Sequence, residues 1–104
     1  MARVIIDSGV CGFSTTITTS SEDRQNVAIS YETECPHAVK ARDSLTQIDA
    51  YQELFRKPHE TPVYQALSPH LPHVTCPLYS GFLKAIEVAA GLALPKDVSF
   101  KIEA

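Results

Sequence analysis

Three cysteines and four histidines carry most of the chemistry this chain can offer. Cys35 and Cys76 each stand directly before a proline, and Cys11 stands directly before Gly12. Proline suits the first position of a helix, where its missing N–H has no intrahelical partner. Cys35-Pro36 and Cys76-Pro77 therefore read as helix starts. A thiol beside a helix N-terminus meets free backbone N–H groups and the positive end of the helix dipole, which favour the thiolate. Cys11-Gly12 reads as a turn. All three cysteines thus fall at element boundaries, and the reading they support is a single site gathered by the fold. Their separations of 24 and 41 residues are far longer than the C-x-x-C pairs of zinc ribbons and ferredoxins, so a local metal knuckle is excluded.

Three thiolates with one imidazole or carboxylate suit zinc or an iron–sulfur cluster, both of which take soft sulfur ligands. The candidate fourth ligands are His73, three residues before Cys76, and His37, two residues after Cys35, with Asp7 behind them. His59 and His70 lie in Pro-rich loops and read as solvated. An odd number of cysteines leaves no closed disulfide set. The plainer reading of any one cysteine is a small buried hydrophobe.

The elements that must position these residues follow from periodicity. Residues 3–7 form a β-branched run and a first strand. Residues 13–19 and 27–33 alternate with period two around a polar turn, which predicts an antiparallel hairpin. After Cys35-Pro36, the spacing of Ala38, Ala41, Leu45 and Ile48 predicts a helix, with Asp49 capping a further turn that uses Tyr51, Leu54 and Phe55. Thr61-Pro62 is an N-cap followed by proline, opening a short helix over residues 63–67. The main helix is predicted from Pro77 to Ala90, with Tyr79, Phe82, Leu83, Ile86 and Ala90 as its stripe and Gly91 as its stop. Val98, Phe100 and Ile102 then alternate with polar residues and predict a closing strand. The order β-β-β-α-α-α-β points to an α+β fold, a mostly antiparallel sheet with helices on one face.

The 104 residues suffice for one domain with a modest core, and 44% hydrophobic with 20% charged residues is the composition of a folded protein. Nine basic against twelve acidic residues give a net charge of −3. The basic residues are dispersed, which argues against a nucleic-acid or acidic-membrane partner. No apolar run approaches the roughly 18–20 residues needed to cross a bilayer. The opening MARVIID has the character of neither a signal nor a transit peptide, so a cytoplasmic location is expected.

Val10-Cys11-Gly12 ahead of a strand, YETECPHAVKA over residues 31–41 and LPHVTCPLYSGFLKAI over residues 71–86 together resemble the U-type iron–sulfur scaffold proteins, the IscU/NifU N-terminal group. The overall texture also resembles small uncharacterised domains of anaerobic microbes. The scaffold resemblance implies that Cys11, Cys35 and Cys76 hold a nascent [2Fe–2S] cluster or zinc, with an Asp or His completing the set. It further implies sulfur-donor or cluster-acceptor proteins as partners. The chain differs from the scaffold pattern at Phe13, where that family has Asp, at Thr75, where it has His, and at Glu34, where it has Gly.

Other classes compete. A metal-free sulfur-relay or redox protein would use Cys76 or Cys35 as a low-pKa nucleophile. Two Cys-Pro dipeptides also admit thiolate haem ligation. A non-catalytic interaction module, dimerising through Ala85, Ala89 and Ala90, is the third. Enzyme chemistry is disfavoured: Ser8-Gly9 and Ser80-Gly81 lack a nucleophile-elbow context, and there is no Gly-rich phosphate loop.

Overall fold

Alternation of apolar and polar residues builds the sheet. In the computed structural model, which describes residues 1–104, β1 (Ala2–Asp7), β2 (Ser14–Ser20), β3 (Asn26–Thr33) and β4 (Gln47–Asp49) lie side by side in that order. Every pairing is antiparallel, and the register stacks Val4, Ile17 and Tyr31 in one row and Ala2, Thr19 and Ile29 in the next. Side chains of one parity face the helices, so Ile17, Val27, Ile29 and Tyr31 are buried while their neighbours along each strand are half-buried or exposed. Two threonines on that face are buried and satisfied. Thr19 Oγ1 donates to the Ala85 carbonyl at 2.7 Å, and the Thr15 and Thr33 hydroxyls share a 2.7 Å hydrogen bond.

The covering layer consists of α1 (Ala50–Leu54), α2 (Pro62–Leu67) and α3 (Leu78–Ala89), with 3₁₀ segments at Gly9–Cys11, Ala38–Ser44 and Pro58–Glu60. The fold is α+β. Helix α3 buries Leu78, Gly81, Phe82, Ala85 and Ile86 against the sheet. Gly81 permits the close approach, since a Cβ there would run into the Ile6 side chain. Ala85 and Ala90 are core residues, while Ala89 is half-buried. Phe82 meets Tyr31 edge to face at 5.0 Å between ring centroids.

Local signals placed several boundaries. Asp49 Oδ1 accepts the Tyr51 N–H at 2.9 Å, and Thr61 Oγ1 accepts the Tyr64 N–H at 3.2 Å with Pro62 following, as their cap positions predict. Gly91 terminates α3 in the left-handed region with φ 75°.

Two predicted elements are corrected. Residues 38–48 do not form one helix: a 3₁₀ segment at Ala38–Ser44 is followed by β4. The buried residues Ala38, Ala41 and Leu45 recur at spacings that a 3₁₀ turn serves as well as an α turn. The Thr46 carbonyl meanwhile accepts the Ile29 N–H at 2.8 Å, and Ile48 pairs with Val27. The closing strand is absent as well, and residues 98–102 are exposed, without regular secondary structure and with no strand beside them. In the α1 turn, moreover, the buried residues are Ala50 and Glu53, while Tyr51 and Phe55 are exposed.

Glu53 is 1% exposed. Its Oε1 accepts the Val63 N–H at 3.1 Å, satisfying a donor in the first turn of α2, whereas Oε2 is buried without a partner. Burial raises the Glu53 carboxyl pKa, against smaller opposing pulls from the Val63 N–H and Arg56.

Three substitutions test these contacts. Tyr31→Phe, which deletes the hydroxyl donated to the Ala38 carbonyl at 2.8 Å, should cost about 1 kcal/mol. Phe82→Ala should cost about 3–5 kcal/mol, and urea denaturation at fixed pH distinguishes the two. For Glu53, a carboxyl with a raised folded-state pKa binds more protons folded than unfolded. Its stabilisation is full below the unfolded value of about 4.3 and is lost as pH rises through the folded one. Glu53→Gln keeps an acceptor for Val63 and has no proton to lose. It should therefore gain on wild type progressively as pH rises from about 4 towards neutrality, measured as denaturation midpoints across that range; a difference independent of pH would refute this.

Candidate metal centre

Antiparallel pairing brings the end of β1, the start of β2 and the end of β3 to one edge of the molecule. Helix α3 crosses this sheet with Gly81 over Ile6 and Ala85 over Thr19, so its N-terminus lies at the same edge. Each cysteine is attached to one of these ends. The chain connectivity thus assembles what the sequence separates by dozens of residues.

Cys11 closes the 3₁₀ turn between β1 and β2. Gly9 and Gly12 flank it at φ 77° and 75°, a conformation that costs glycine little and other residues much. Asp7 Oδ1 accepts the Gly9 N–H at 3.0 Å, so the Asp7 carboxylate is engaged in shaping the turn and does not line the cavity described below. Cys35 follows β3, with its N–H donated to Thr33 Oγ1 at 3.1 Å and its carbonyl accepting the Val39 N–H at 3.3 Å. Glu34 fastens this junction to β2: its Oε1 accepts from the Ser14 N–H at 2.8 Å and the Ser14 hydroxyl at 3.0 Å, which holds its carboxyl below the ordinary range. The Glu34 that departs from the scaffold pattern thus has a structural task here. Cys76 donates its N–H to the His73 carbonyl at 3.2 Å, folding residues 73–76 into a tight turn ahead of α3.

These parts enclose one cavity of about 90 Å³, lined by Cys11, Cys35, Cys76, His37 and His73 together with Ser8, Phe13, Leu71, Pro72 and Leu78. All five predicted ligand residues border it, and His59 and His70 do not. Leu71 and Leu78 are buried, Cys35 and Cys76 half-buried, and Cys11, His37 and His73 exposed, so the site has an apolar floor and a polar mouth. No three His, Cys, Asp or Glu side chains stand close enough to hold a metal ion as they are arranged. The fold collects the donors around a common space without closing them into a coordination shell.

The electrostatics of Cys76 run opposite to the expectation from its helix terminus. Burial raises its pKa, outweighing the Leu78 N–H that favours the thiolate, and the nearby Cys35 and Cys11 push it further in the same direction. Cys76 is consequently a thiol at neutral pH. The apolar wall contributed by Leu71, Pro72 and Leu78 was not foreseen from the sequence, although each of these residues lies in the segment that leads into α3 around Cys76.

Residues 2–102 match the family of unknown function DUF6951, and the chain belongs to that family. No curated protein and no solved structure matches it.

Alkylation followed by peptide mass spectrometry should modify exposed Cys11 ahead of Cys76. The rate at Cys76 should still be climbing as pH passes about 8.5, the value of a free cysteine. A Cys76 that reacts at its limiting rate near neutral pH would contradict the burial argument.

Proposed function

We propose that this chain binds a thiophilic metal centre, a zinc ion or a small iron–sulfur cluster, in the cavity bordered by Cys11, Cys35 and Cys76, and carries it as an exchangeable load. The observation that carries the reading is that every cysteine of the chain and two of its four histidines line one cavity. The donor set fits both loads. Three sulfurs and an imidazole match a Cys₃His zinc site, and histidine replaces cysteine in some two-iron clusters. His73 and His37 are the imidazoles available. The resemblance of the cysteine segments to the U-type scaffolds supports the same set.

Two features favour a carrier over a fixed structural site. The 16-residue core is built from other side chains, and Cys35 and Cys76 only pack at its margin. Folding energy thus comes from burial of Ile17, Phe82 and their neighbours, unlike a zinc finger, in which metal binding supplies it. Cys11 and both histidines are also exposed at the mouth, where a sulfur-donor or cluster-acceptor protein could reach them. The walls formed by Phe13, Leu71 and Leu78 limit water around the sulfurs.

Binding displaces a proton from Cys76, so affinity rises with pH by about tenfold per unit from this thiol alone. The same raised pKa counts against Cys76 as the nucleophile of a metal-free sulfur relay, which needs a thiolate at neutral pH. The cavity of about 90 Å³ is too small to enclose a haem, well below the roughly 300–1,000 Å³ of ordinary small-molecule sites.

Anaerobic purification with elemental analysis and an absorption spectrum tests the proposal. Stoichiometric zinc, or iron with equimolar sulfide and visible charge-transfer bands, is the expected result. Cys35→Ala and Cys76→Ala should each lower bound metal sharply, while chelation should shift the thermal midpoint by only about 2–8 °C and leave a cooperative transition. A protein that holds no metal on isolation and takes up none on reconstitution would sink the reading. Unfolding on chelation would sink its carrier half.

A further inference from the structure

The residues after α3 carry a strand pattern with no strand to join. Val98, Phe100 and Ile102 alternate with Ser99, Lys101 and Glu103, and the three apolar side chains are 63%, 82% and 91% exposed. Elsewhere on the molecule, β1 is an edge strand, paired on one side only. Its helix-side residues Val4 and Ile6 are only half-buried, and Ile5 on the other face is exposed. An edge with free N–H and C=O groups, and an exposed, unpaired segment whose apolar side chains alternate in sequence, are complementary surfaces.

The segment is badly placed for its own β1. Gly91 lies beside the Arg24 side chain in the β2–β3 turn, and Ala2 sits opposite Thr19 at that same end of the sheet. Residues 98–103 therefore leave α3 at the Ala2 end and would run along their own β1 in the same direction as that strand. Antiparallel pairing is the more stable arrangement. Reaching it within one chain would require the linker first to run the strand's length of about 20 Å and then reverse.

We propose that residues 98–103 of one copy add antiparallel to β1 of a second copy, and reciprocally, giving a twofold arm-exchanged dimer with a five-stranded sheet in each half. Apolar pairing and charge together select the register. With Phe100 opposite Ile6 and Ile102 opposite Val4, the apolar residues extend the helix-covered face, Glu103 lies opposite Arg3, and Ser99 lies opposite Asp7. Sliding the arm by two residues one way would oppose Asp97 to Asp7 and Lys101 to Arg3, like charges directly across from one another, and sliding it the other way would set Phe100 opposite Ser8, past the end of β1, and Glu103 opposite Ile5. Exchange satisfies both arms and both edges at once, so the assembly closes as a dimer.

Sedimentation velocity from low-micromolar to several-hundred-micromolar protein, with reductant and chelator to exclude disulfide or metal bridging, tests the proposal. Wild type should be a concentration-dependent dimer. The double variant Phe100→Lys with Ile102→Lys should be a monomer throughout with an unchanged circular dichroism spectrum, since both positions are exposed in the single chain. Arg3→Glu and Glu103→Arg should each weaken the dimer by roughly three- to tenfold, and combining them should restore it to within about threefold of wild type. A wild type that stays monomeric, a dimer that survives Phe100→Lys with Ile102→Lys, or a charge swap no better than its singles would overturn the proposal.

Discussion

Tyr31 is the point on which the two halves of the molecule are fixed. Its ring meets Phe82 of α3 edge to face at 5.0 Å, its hydroxyl donates to the Ala38 carbonyl at 2.8 Å, and its own carbonyl accepts from Arg42 Nη2 at 3.2 Å. The Arg42 guanidinium also lies over the ring, 5.4 Å from its centroid. Burial raises the phenol pKa, so the group remains a donor across the physiological range. One residue at the sheet's centre thereby holds the segment that follows Cys35 and the helix that follows Cys76. The relative position of two of the three thiols depends on this residue more than on any contact between the thiols themselves.

Much of the fold was legible because local and tertiary preferences agree. Thr15, Ile17 and Thr19 alternate, and so do Val27, Ile29 and Tyr31; each set needs one buried face, and the sheet supplies it. The caps at Asp49 and Thr61 and the stop at Gly91 act over three residues or fewer, a range at which sequence is decisive. The failures lie where one pattern serves two structures. Ala38, Ala41 and Leu45 suit a 3₁₀ turn as well as an α-helix, and only the pairing of Ile48 with Val27 decides that β4 follows. Residues 98–102 have the period of a strand, but a strand exists only beside another, and period alone carries no information about a neighbour.

The candidate site shows the same division between position and environment. That Cys11, Cys35 and Cys76 would fall at one edge and border one cavity could be argued from their junctions, because strand ends and helix starts in an antiparallel α+β layer fall at common edges. The state of Cys76 could not. The helix-terminal argument considered only the donor supplied by its own helix, whereas the burial created around Cys76 by the tertiary fold has the larger effect. Glu53 was missed for a related reason. In AYQELF it reads as a solvated helix residue, and only the approach of α2, whose Val63 N–H it accepts, encloses it.

The apolar core and the thiol cavity are neighbours without being the same object. Ile17, Val27, Phe82 and Ile86 are removed from water irrespective of what the cavity contains. A site whose donors also had to hold the fold together could not release its load without unfolding, and binding energy would be tied to folding energy. Here the sulfurs hang from turns at the sheet's edge. Cys11 in particular sits between two glycines in a turn that contributes no side chain to the core. The cost of drawing these donors inward therefore falls on surface turns, where local opening is cheapest. Stability is concentrated in the sheet–helix contact and adaptability at its edge, the separation that the carrier role proposed above would require.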